Sequence, residues 1–223
     1  MYRPGESMRL EDLKQNGFNP KTILDIGAHT GQFYGWAKNI WPDAFIWMIE
    51  ANECHANKLN SIIQGTNDRY TIAALGGDEK EVIFWTRKDK PHTEGNSYYR
   101  EKAFGNLAME VPRKLKTLNN LFDEESTFDL IKLDTQGSEL DILTGGNHIC
   151  QKAKYIVLEI SLINLNLGAP SKDKILSYME AYGFIPTTII GEHYFGTKPA
   201  ADEAGVDMNT IIQQDIIFKN KLI

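Results

Sequence analysis

The stretch TILDIGAHTGQFYGW, residues 22–36, decides the fold because it joins a buried strand to a helix through a glycine turn. Its first five residues are typical of a short buried strand. The residues after the turn recur with the spacing of a helix face, at Phe33, Trp36, Ala37 and Ile40. Such a turn presents unbonded backbone N–H groups at the helix N-terminus, where polar or anionic ligands bind. The stretch therefore predicts a ligand cradle.

The composition is typical of a soluble globular protein. Of the 223 residues, 42% are hydrophobic and 24% are charged, and a chain of this length can bury a sizeable core. The net charge of −6 opposes attraction to nucleic acid or to an anionic membrane. No stretch approaches the roughly 20 apolar residues that a membrane-spanning helix needs. We therefore predict a single domain, 1–223, with no nucleic-acid or membrane partner.

The N-terminal stretch MYRPGESMRLEDLKQNG contains no apolar core of a signal peptide, which predicts a cytoplasmic protein.

Cys54 and Cys150 lie far apart and outside any CxxC pair, so we predict that both are reduced and partly buried. Four histidines lack the spacing of metal ligands and are predicted to be polar surface or turn residues, namely His29, His55, His92 and His148. The sequence leaves the oligomeric state open.

Strand-like and helix-like segments alternate along the chain, which is typical of an α/β fold. The predicted strands are 22–26, 44–51, 70–77, 81–87, 128–134, 155–161, 184–191 and 213–220. We predict a doubly wound, mostly parallel sheet of about seven strands, with helices on both faces and the last strand antiparallel. A helical extension is expected over about residues 1–20. Ser138, with Asp141, is predicted to cap the helix that runs to Gly145.

The glycine turn discriminates between nucleotide cofactors. A dinucleotide site requires G-x-G-x-x-G, whereas residues 27–31 read GAHTG and lack the middle glycine. Glu50 closes the second predicted strand 23 residues after Gly27, where an acid accepts hydrogen bonds from a ribose. S-adenosylmethionine contains a ribose and an amino acid part but no phosphate, so it fits this combination. The alternatives are a strand–helix junction without a ligand and an exposed acid at a strand end.

On these residues the chain resembles the FkbM-type methyltransferases, which have the class I S-adenosylmethionine-dependent fold. The matching segments are ILDIGAHTGQF, WMIEAN, GNSYY, an expected strand VPRKLKTLNNL, FDLIKLDTQGSELDILTGG and YIVLEIS. They follow the family's order over most of residues 23–161. The most specific segment is DLIKLDTQGSELDILTGG, in which the charged Lys132 lies inside an apolar strand. The chain departs from the family's pattern at His29, at Thr135-Gln136 and near Tyr98.

The resemblance implies that Asp25, Gly27 and Gly31 shape the turn around the methionine part of the cofactor, with Asp25 facing its ammonium or holding the loop. It also implies an adenine contact at Leu75, and Asn52 is expected beside Glu50 at the ribose. The predicted cofactor-binding set is completed by Ala28, His29, Ala51, Asp134 and Gln136.

A hydroxyl acceptor benefits from a base that takes its proton during methyl transfer. The candidates are Asp134, Glu159 and His193, with Asp134 first because it ends the strand that leads to the transferable methyl. Asp134 could instead brace the next helix. Asp134 and Glu159 could also share a magnesium ion, but two acids with no third ligand do not favour a metal site.

The resemblance implies an S-adenosylmethionine-dependent O-methyltransferase acting on a hydroxyl of a carbohydrate or glycosylated small molecule. The predicted substrate loops are 88–106 and 192–209. The first contains hydrogen-bonding groups and aromatic surface suited to sugars, at Asn96, Ser97, Tyr98 and Tyr99, unless it is a hairpin without a ligand. Methylation of an amine stays open. So do two other functions, a nicotinamide-dependent oxidoreductase on a Rossmann fold and a non-catalytic binding module.

Overall fold

The strands of the sheet follow the apolar runs of the sequence. The computed structural model describes residues 9–92 and 95–223. Their strands are β1 Thr22–Ile26, β2 Phe45–Glu50, β3 Arg69–Ile72, β4 Glu81–Arg87, β5 Ala108–Lys114, β6 Leu130–Leu133, β7 Tyr155–Ser161, β8 Phe184–His193 and β9 Gln213–Asn220. Seven of these form one sheet in the order β3-β2-β1-β6-β7-β9-β8, with β9 antiparallel to both neighbours. The predicted doubly wound sheet with an antiparallel last strand is confirmed.

The helices connect these strands. They are α1 Leu10–Gln15, α2 Gln32–Ile40, α3 Ala56–Ile62, α4 Leu118–Leu121, α5 Glu139–Gly145, α6 Asn147–Cys150, α7 Lys172–Ala181 and α8 Lys198–Ala204, with 3-10 helices at Glu53–His55 and Lys102–Leu107. Helix α1 lies in the predicted N-terminal extension, whose residues 1–8 are outside the described part. No helix of the described residues is long and apolar enough to cross a membrane.

Both faces of the sheet are buried, and successive residues of a strand alternate between them. On β1, Ile23 packs into the cluster that contains α1 and α2, while Leu24 packs into the cluster on the opposite face. Strand β6 alternates in the same way at Leu130 and Ile131. Strands buried on both faces are therefore continuous apolar runs, as in other parallel sheets.

In three segments the structure differs from the prediction or adds to it. The predicted strand 81–87 is confirmed as β4, which pairs antiparallel with β5 as a separate two-stranded hairpin. Its side chains alternate between buried and exposed, which suits a ribbon with only one covered face. The predicted strand VPRKLKTLNNL is wrong in its second half, because β5 ends at Lys114 and helix α4 follows. The segment 192–209, predicted to be a loop, contains the end of β8 and helix α8.

The predicted N-cap position of α5 is confirmed, because Ser138 directly precedes the helix as its N-cap. Ser138 makes no side-chain capping bond, however, and its hydroxyl donates instead to Thr135 O at 3.1 Å. The carboxylate of Glu139, the next residue, accepts the backbone N–H groups of Thr135 at 2.7 Å and Gly137 at 3.0 Å. Glu139 therefore fixes the turn between β6 and α5, because its longer side chain reaches back over the glycine.

Candidate active site

The glycine turn brings the end of β1 against the end of β6. Gly27 has φ +79°, and a Cβ atom there would lie 1.8 Å from the backbone oxygen of Asp134. Gly31 has φ +85° and a Cβ there would lie 2.2 Å from Ile62 of α3. At Gly27 only hydrogen fits, because the neighbouring atom belongs to the backbone. At Gly31 the neighbouring atom is the end of a flexible side chain, and the positive φ is the stronger reason for glycine. In the described residues, the non-glycine residues with positive φ are His29 and Gln136.

A cavity of about 460 Å³ lies at the carboxyl ends of β1, β2, β6 and β7. Ligands of doubly wound folds bind at this edge of the sheet. The structure brings most of the predicted site residues into its wall, namely Gly27, Ala28, His29, Glu50, Ala51, Leu75, Asp134, Gln136, Glu159 and His193. Asp25, Gly31 and Asn52 are not part of the wall. His29 and Gln136, the two residues with positive φ named above, both line this cavity.

Glu50 is anchored by the turns at the ends of β1 and β2. Its Oε2 accepts the backbone N–H of His29 at 2.7 Å, and its Oε1 accepts the backbone N–H of Asn52 at 2.7 Å. Burial raises the pKa of Glu50, and the two backbone hydrogen bonds oppose this rise. Each oxygen has a second lone pair for a ligand hydroxyl. Asn52 therefore holds the Glu50 carboxylate through its backbone N–H and does not itself line the cavity.

Asp25 is fully buried in β1, next to Lys132 on β6. Neither of its carboxylate oxygens has a hydrogen-bond partner among the described residues, and Lys132 Nζ lies 3.9 Å away. Burial raises the pKa of Asp25 to about 6. Since its side chain does not reach the cavity wall, the position favours support of the turn over direct contact with a ligand.

We expect Asp25→Asn to alter the pH dependence of stability. The folded-state pKa lies above the value of about 3.8 in the unfolded chain, so stability falls as pH rises from about 4 to 6. Two pKa units correspond to about 3 kcal/mol. From pH 4.5 to pH 7.5, the free energy of unfolding of Asp25→Asn should therefore rise relative to wild type by about 2 kcal/mol, measured by urea unfolding. The exposed Asp78→Asn is the control, and equal pH profiles for Asp25→Asn and wild type would contradict the prediction.

Lys132 and Asp134 form an ion pair between β6 and the cavity. Lys132 Nζ lies 3.0 Å from Asp134 Oδ2 and donates to Gly27 O at 3.4 Å. Burial would raise the pKa of Asp134, but the Lys132 ammonium holds it below its ordinary value. Burial would lower the pKa of Lys132, but the carboxylates of Asp134 and Asp25 raise it. Asp134 is therefore a negatively charged carboxylate that is held in an ion pair with Lys132.

Glu159 lies next to Asp134, as predicted from the neighbouring strand ends. The amide nitrogen of Gln136 donates to Asp134 Oδ1 at 3.0 Å and to Glu159 Oε2 at 2.6 Å. Gln213 Nε2 donates to the same Glu159 oxygen at 2.7 Å. Burial raises the pKa of Glu159 well above its ordinary value, and the Asp134 charge adds to this rise. Of these two carboxyl groups, Asp134 therefore has the lowered pKa and Glu159 the raised pKa.

His193 forms a second pair at the cavity wall, with a residue that the sequence did not indicate. Its Nε2 lies 2.8 Å from Asp215 Oδ2 on the adjacent strand, and its side chain is 45% exposed. Gly191 makes room for this carboxylate, because a Cβ there would lie 2.3 Å from Asp215 Oδ2. The pairing of β8 with β9 is irregular between Ile189 and Gly191. The bulge and the glycine together place His193 and Asp215 side by side.

The first predicted substrate loop, whose residues 93 and 94 lie outside the described part, contributes Asn96 and Tyr98 to the cavity. The oxygen of the Asn96 amide is buried and has no hydrogen-bond partner in the described residues. The hydroxyls of Tyr98 and Tyr99 both donate to Asp141 Oδ2 at 2.7 Å. Tyr98 therefore presents ring surface to the cavity, while Ser97 and Tyr99 do not line it.

Glu101 is a further cavity residue that the sequence did not indicate. Burial raises its pKa to about 7, although Arg87 lowers it. A Cβ on Gly95 would lie 1.8 Å from Glu101 Oε2, so the glycine accommodates this side chain. Nothing in its sequence context distinguishes Glu101 from a solvated loop acid.

The prediction for the histidines and cysteines is partly wrong. Both cysteines are free as expected, but Cys54 is exposed and only Cys150 is buried. His55 was expected at the surface, whereas it is 4% exposed and its ring lies 4.2 Å from that of His29. Burial and the neighbouring histidines lower the pKa of His55 to about 4. The spacing of these residues gave no sign of this cluster because the turn and the first loop fold onto one another.

Comparison with known proteins identifies the family and the fold. The model of the methyltransferase FkbM domain matches residues 25–186. The chain is similar to an S-adenosylmethionine-dependent methyltransferase from Clostridium acetobutylicum ATCC 824, with 10% identity, 95% of this chain and 88% of that chain covered, and a TM-score of 0.50. It is also similar to TehB from Haemophilus influenzae, with 9% identity, coverage of 94% and 60%, and a TM-score of 0.52. These two structural similarities show a shared fold. No curated protein sequence matches the chain.

Proposed function

Because the chain belongs to the FkbM methyltransferase family, we propose that it transfers a methyl group from S-adenosylmethionine to a hydroxyl oxygen of a carbohydrate or glycosylated small molecule. One observation carries this proposal. The wall of a single cavity contains both Glu50, anchored to bind a ribose, and His193, which is hydrogen-bonded to Asp215. A nucleotide-binding acid and a proton acceptor are the two groups that methylation of a hydroxyl requires.

The residues of the cavity fit S-adenosylmethionine. Glu50 has a lone pair on each oxygen for the two ribose hydroxyls. The unpartnered oxygen of Asn96 requires a donor, and the cofactor has one in its adenine amine and another in its ammonium. Gly27 keeps the turn free of a side chain at the floor of the cavity. The apolar side of Leu75 is available to the adenine ring.

The bound cofactor supplies an electrophilic methyl group on a positively charged sulfur. The residues must then hold the acceptor in line with the carbon–sulfur bond and remove its hydroxyl proton. Asp134 is neutralised by Lys132 and Gln136, which makes it a poor proton acceptor. Glu159 is buried, and its Oε2 already accepts hydrogen bonds from the amides of Gln136 and Gln213. His193 is therefore the proposed base, and Asp215 orients its ring.

With its Nε2–H donated to Asp215, the lone pair of the neutral His193 ring is on Nδ1. His193 would accept the hydroxyl proton of the acceptor at Nδ1 while the acceptor receives the methyl group. The carboxylate of Asp215 stabilises the imidazolium that results. The released proton then returns to solvent through the exposed side of the ring.

A carbohydrate acceptor is supported by the loop at the cavity. The Tyr98 ring offers a flat apolar surface, since its hydroxyl is engaged with Asp141. Tyr194 and Gln213 add polar groups to the wall near His193. An acceptor with alternating apolar and hydroxyl-bearing faces matches these groups.

An acceptor screen tests this proposal. The protein is incubated with methyl-labelled S-adenosylmethionine and a panel of sugars, glycosides and amino sugars, and the position of the label is determined by NMR. We expect a methyl ether at a hydroxyl oxygen. Label found on the nitrogen of the amino sugars, with none on oxygen, would contradict the proposal and show an N-methyltransferase.

We expect Glu50→Gln to weaken S-adenosylmethionine binding by about 10- to 100-fold, measured by calorimetric titration. Hydrogen bonds to a charged group contribute about 1.5–3 kcal/mol, and about 1.4 kcal/mol corresponds to a factor of ten. The matched control is Glu53→Gln, an exposed acid three residues away, which should bind as wild type does. Wild-type affinity in Glu50→Gln would show that the carboxylate does not bind the ribose.

A further inference from the structure

Two segments meet beside the cavity and bring three potential metal ligands together. Cys54 and His55 belong to the 3-10 helix that follows β2, and His92 belongs to the loop after β4. One sulfur and two ring nitrogens from these residues all lie within 4.8 Å of one another. His92 Nδ1 lies 3.1 Å from Cys54 Sγ. The proposed mechanism uses none of these groups.

The second observation concerns His55, which is 96% buried yet forms no ring hydrogen bond with the described residues. Its backbone N–H is bonded to Asn52 O, and its ring packs against the rings of His29 and His92, at 4.2 Å and 5.8 Å between centroids. A neutral imidazole has a lone pair on one ring nitrogen. A metal ion on the Cys54 and His92 side would use this lone pair.

We propose that Cys54, His55 and His92 bind a zinc ion. Thiolate and imidazole are the ligands that Zn²⁺ prefers, whereas magnesium and calcium prefer oxygen. Bonds of about 2.3 Å to sulfur and 2.0 Å to nitrogen place tetrahedral ligand atoms roughly 3.5 Å apart. The three atoms of the cluster need only small side-chain shifts to reach this geometry. A water molecule completes the coordination on the exposed side.

Binding changes the protonation of the cluster. The thiol of Cys54 loses its proton to solvent when the sulfur–metal bond forms, while neutral His55 and His92 bind through their lone pairs. Each ion therefore releases a proton, so the affinity for zinc falls as the pH is lowered.

The ion would tie the first loop to the end of β2. Asn52 already contributes to this junction, because its side chain donates to Pro91 O at 2.8 Å and accepts the backbone N–H of Cys54 at 3.2 Å. Asn96 Nδ2 also donates to Pro91 O, at 3.0 Å. Occupation would restrict the loop that borders the cavity. An effect of the restricted loop on cofactor binding rests on the proposed function, but zinc binding itself does not.

The test uses untagged protein without S-adenosylmethionine, so failure here is independent of the proposed methyl transfer. Cobalt(II) is the spectroscopic probe and zinc is measured by competition. We expect one equivalent of cobalt to produce a thiolate-to-cobalt charge-transfer band and the visible bands of a tetrahedral ion. Cys54→Ser should lose the charge-transfer band although Cys150 is still present.

The histidine variant is tested in the same way. His92→Ala should lower zinc affinity by at least about tenfold, since loss of outer-shell partners alone costs ten- to hundredfold. The matched control, the exposed His148→Ala, should bind as wild type does. Cys54 and His92 are both exposed, and thermal unfolding confirms that the variants fold. A wild-type cobalt spectrum without the thiolate band, or unchanged zinc affinity in Cys54→Ser, would overturn the proposal.

Discussion

His193→Gln is expected to lower kcat for methyl transfer by about 10²- to 10⁴-fold, the usual contribution of a positioned general base. Glutamine is similar in size and polar but cannot accept the acceptor's proton at neutral pH. The affinity for S-adenosylmethionine should stay within about twofold, because Glu50 and the glycine turn bind the cofactor. Single-turnover rates and calorimetric titration measure the two quantities separately.

Two further variants distinguish a base from a structural residue. Asp215→Asn should reduce kcat less and move the acid limb of the pH–rate profile to lower pH, because it removes the charge that favours the protonated imidazole. Tyr194→Phe, which removes only a hydroxyl from the same part of the wall, should retain activity within about threefold. If His193→Gln kept wild-type kcat, the base would have to be another group.

Gly27→Ala is expected to destabilise the protein by about 2–5 kcal/mol and to abolish high-affinity cofactor binding. A left-handed alanine costs about 1–2 kcal/mol, and overpacking adds about 1–3 kcal/mol. The added Cβ would lie 1.8 Å from the backbone oxygen of Asp134, and neither backbone segment can move without shifting a strand end. Urea unfolding measures the loss.

Gly17→Ala is the matched control for this effect. Gly17 also has a positive φ, of +86°, but no atom lies within 4 Å of the position of its Cβ. The free energy of unfolding of Gly17→Ala should therefore fall only by the conformational cost of about 1–2 kcal/mol. This variant should bind the cofactor as wild type does. Equal destabilisation in the two variants would show that the contact between the ends of β1 and β6 is not tight.

The strands of the sheet could be predicted because each strand is recognisable from its own short stretch of sequence. Strands buried on both faces are continuous apolar runs, and the residues that follow each run meet at one edge of the sheet. This places Glu50, Asp134 and Glu159 at one cavity, as expected. The rest of the site depends on pairing between distant segments. Asp215 reaches His193 only through the irregular register of β8 with β9.

Other features depend on how loops fold onto the sheet, which spacing in the sequence does not encode. The burial of His55 follows from contact of the first loop with the glycine turn. The hydroxyls predicted to bind a sugar are instead engaged by Asp141 on α5. The pairing of β4 with β5 could not be predicted, because the sequence of one strand does not identify its partner. Local patterns therefore predicted the fold and the residues at the strand ends better than the residues that the loops and β9 bring to the cavity.

The identity of the cofactor is tested by calorimetric titration of the wild-type protein with S-adenosylmethionine and, separately, with NAD. We expect one equivalent of S-adenosylmethionine to bind and NAD to give no detectable heat, since the turn lacks the glycine that a pyrophosphate requires. Binding of NAD without S-adenosylmethionine would contradict this expectation and favour an oxidoreductase. Binding of neither would show that the glycine turn is a strand–helix junction without a nucleotide ligand.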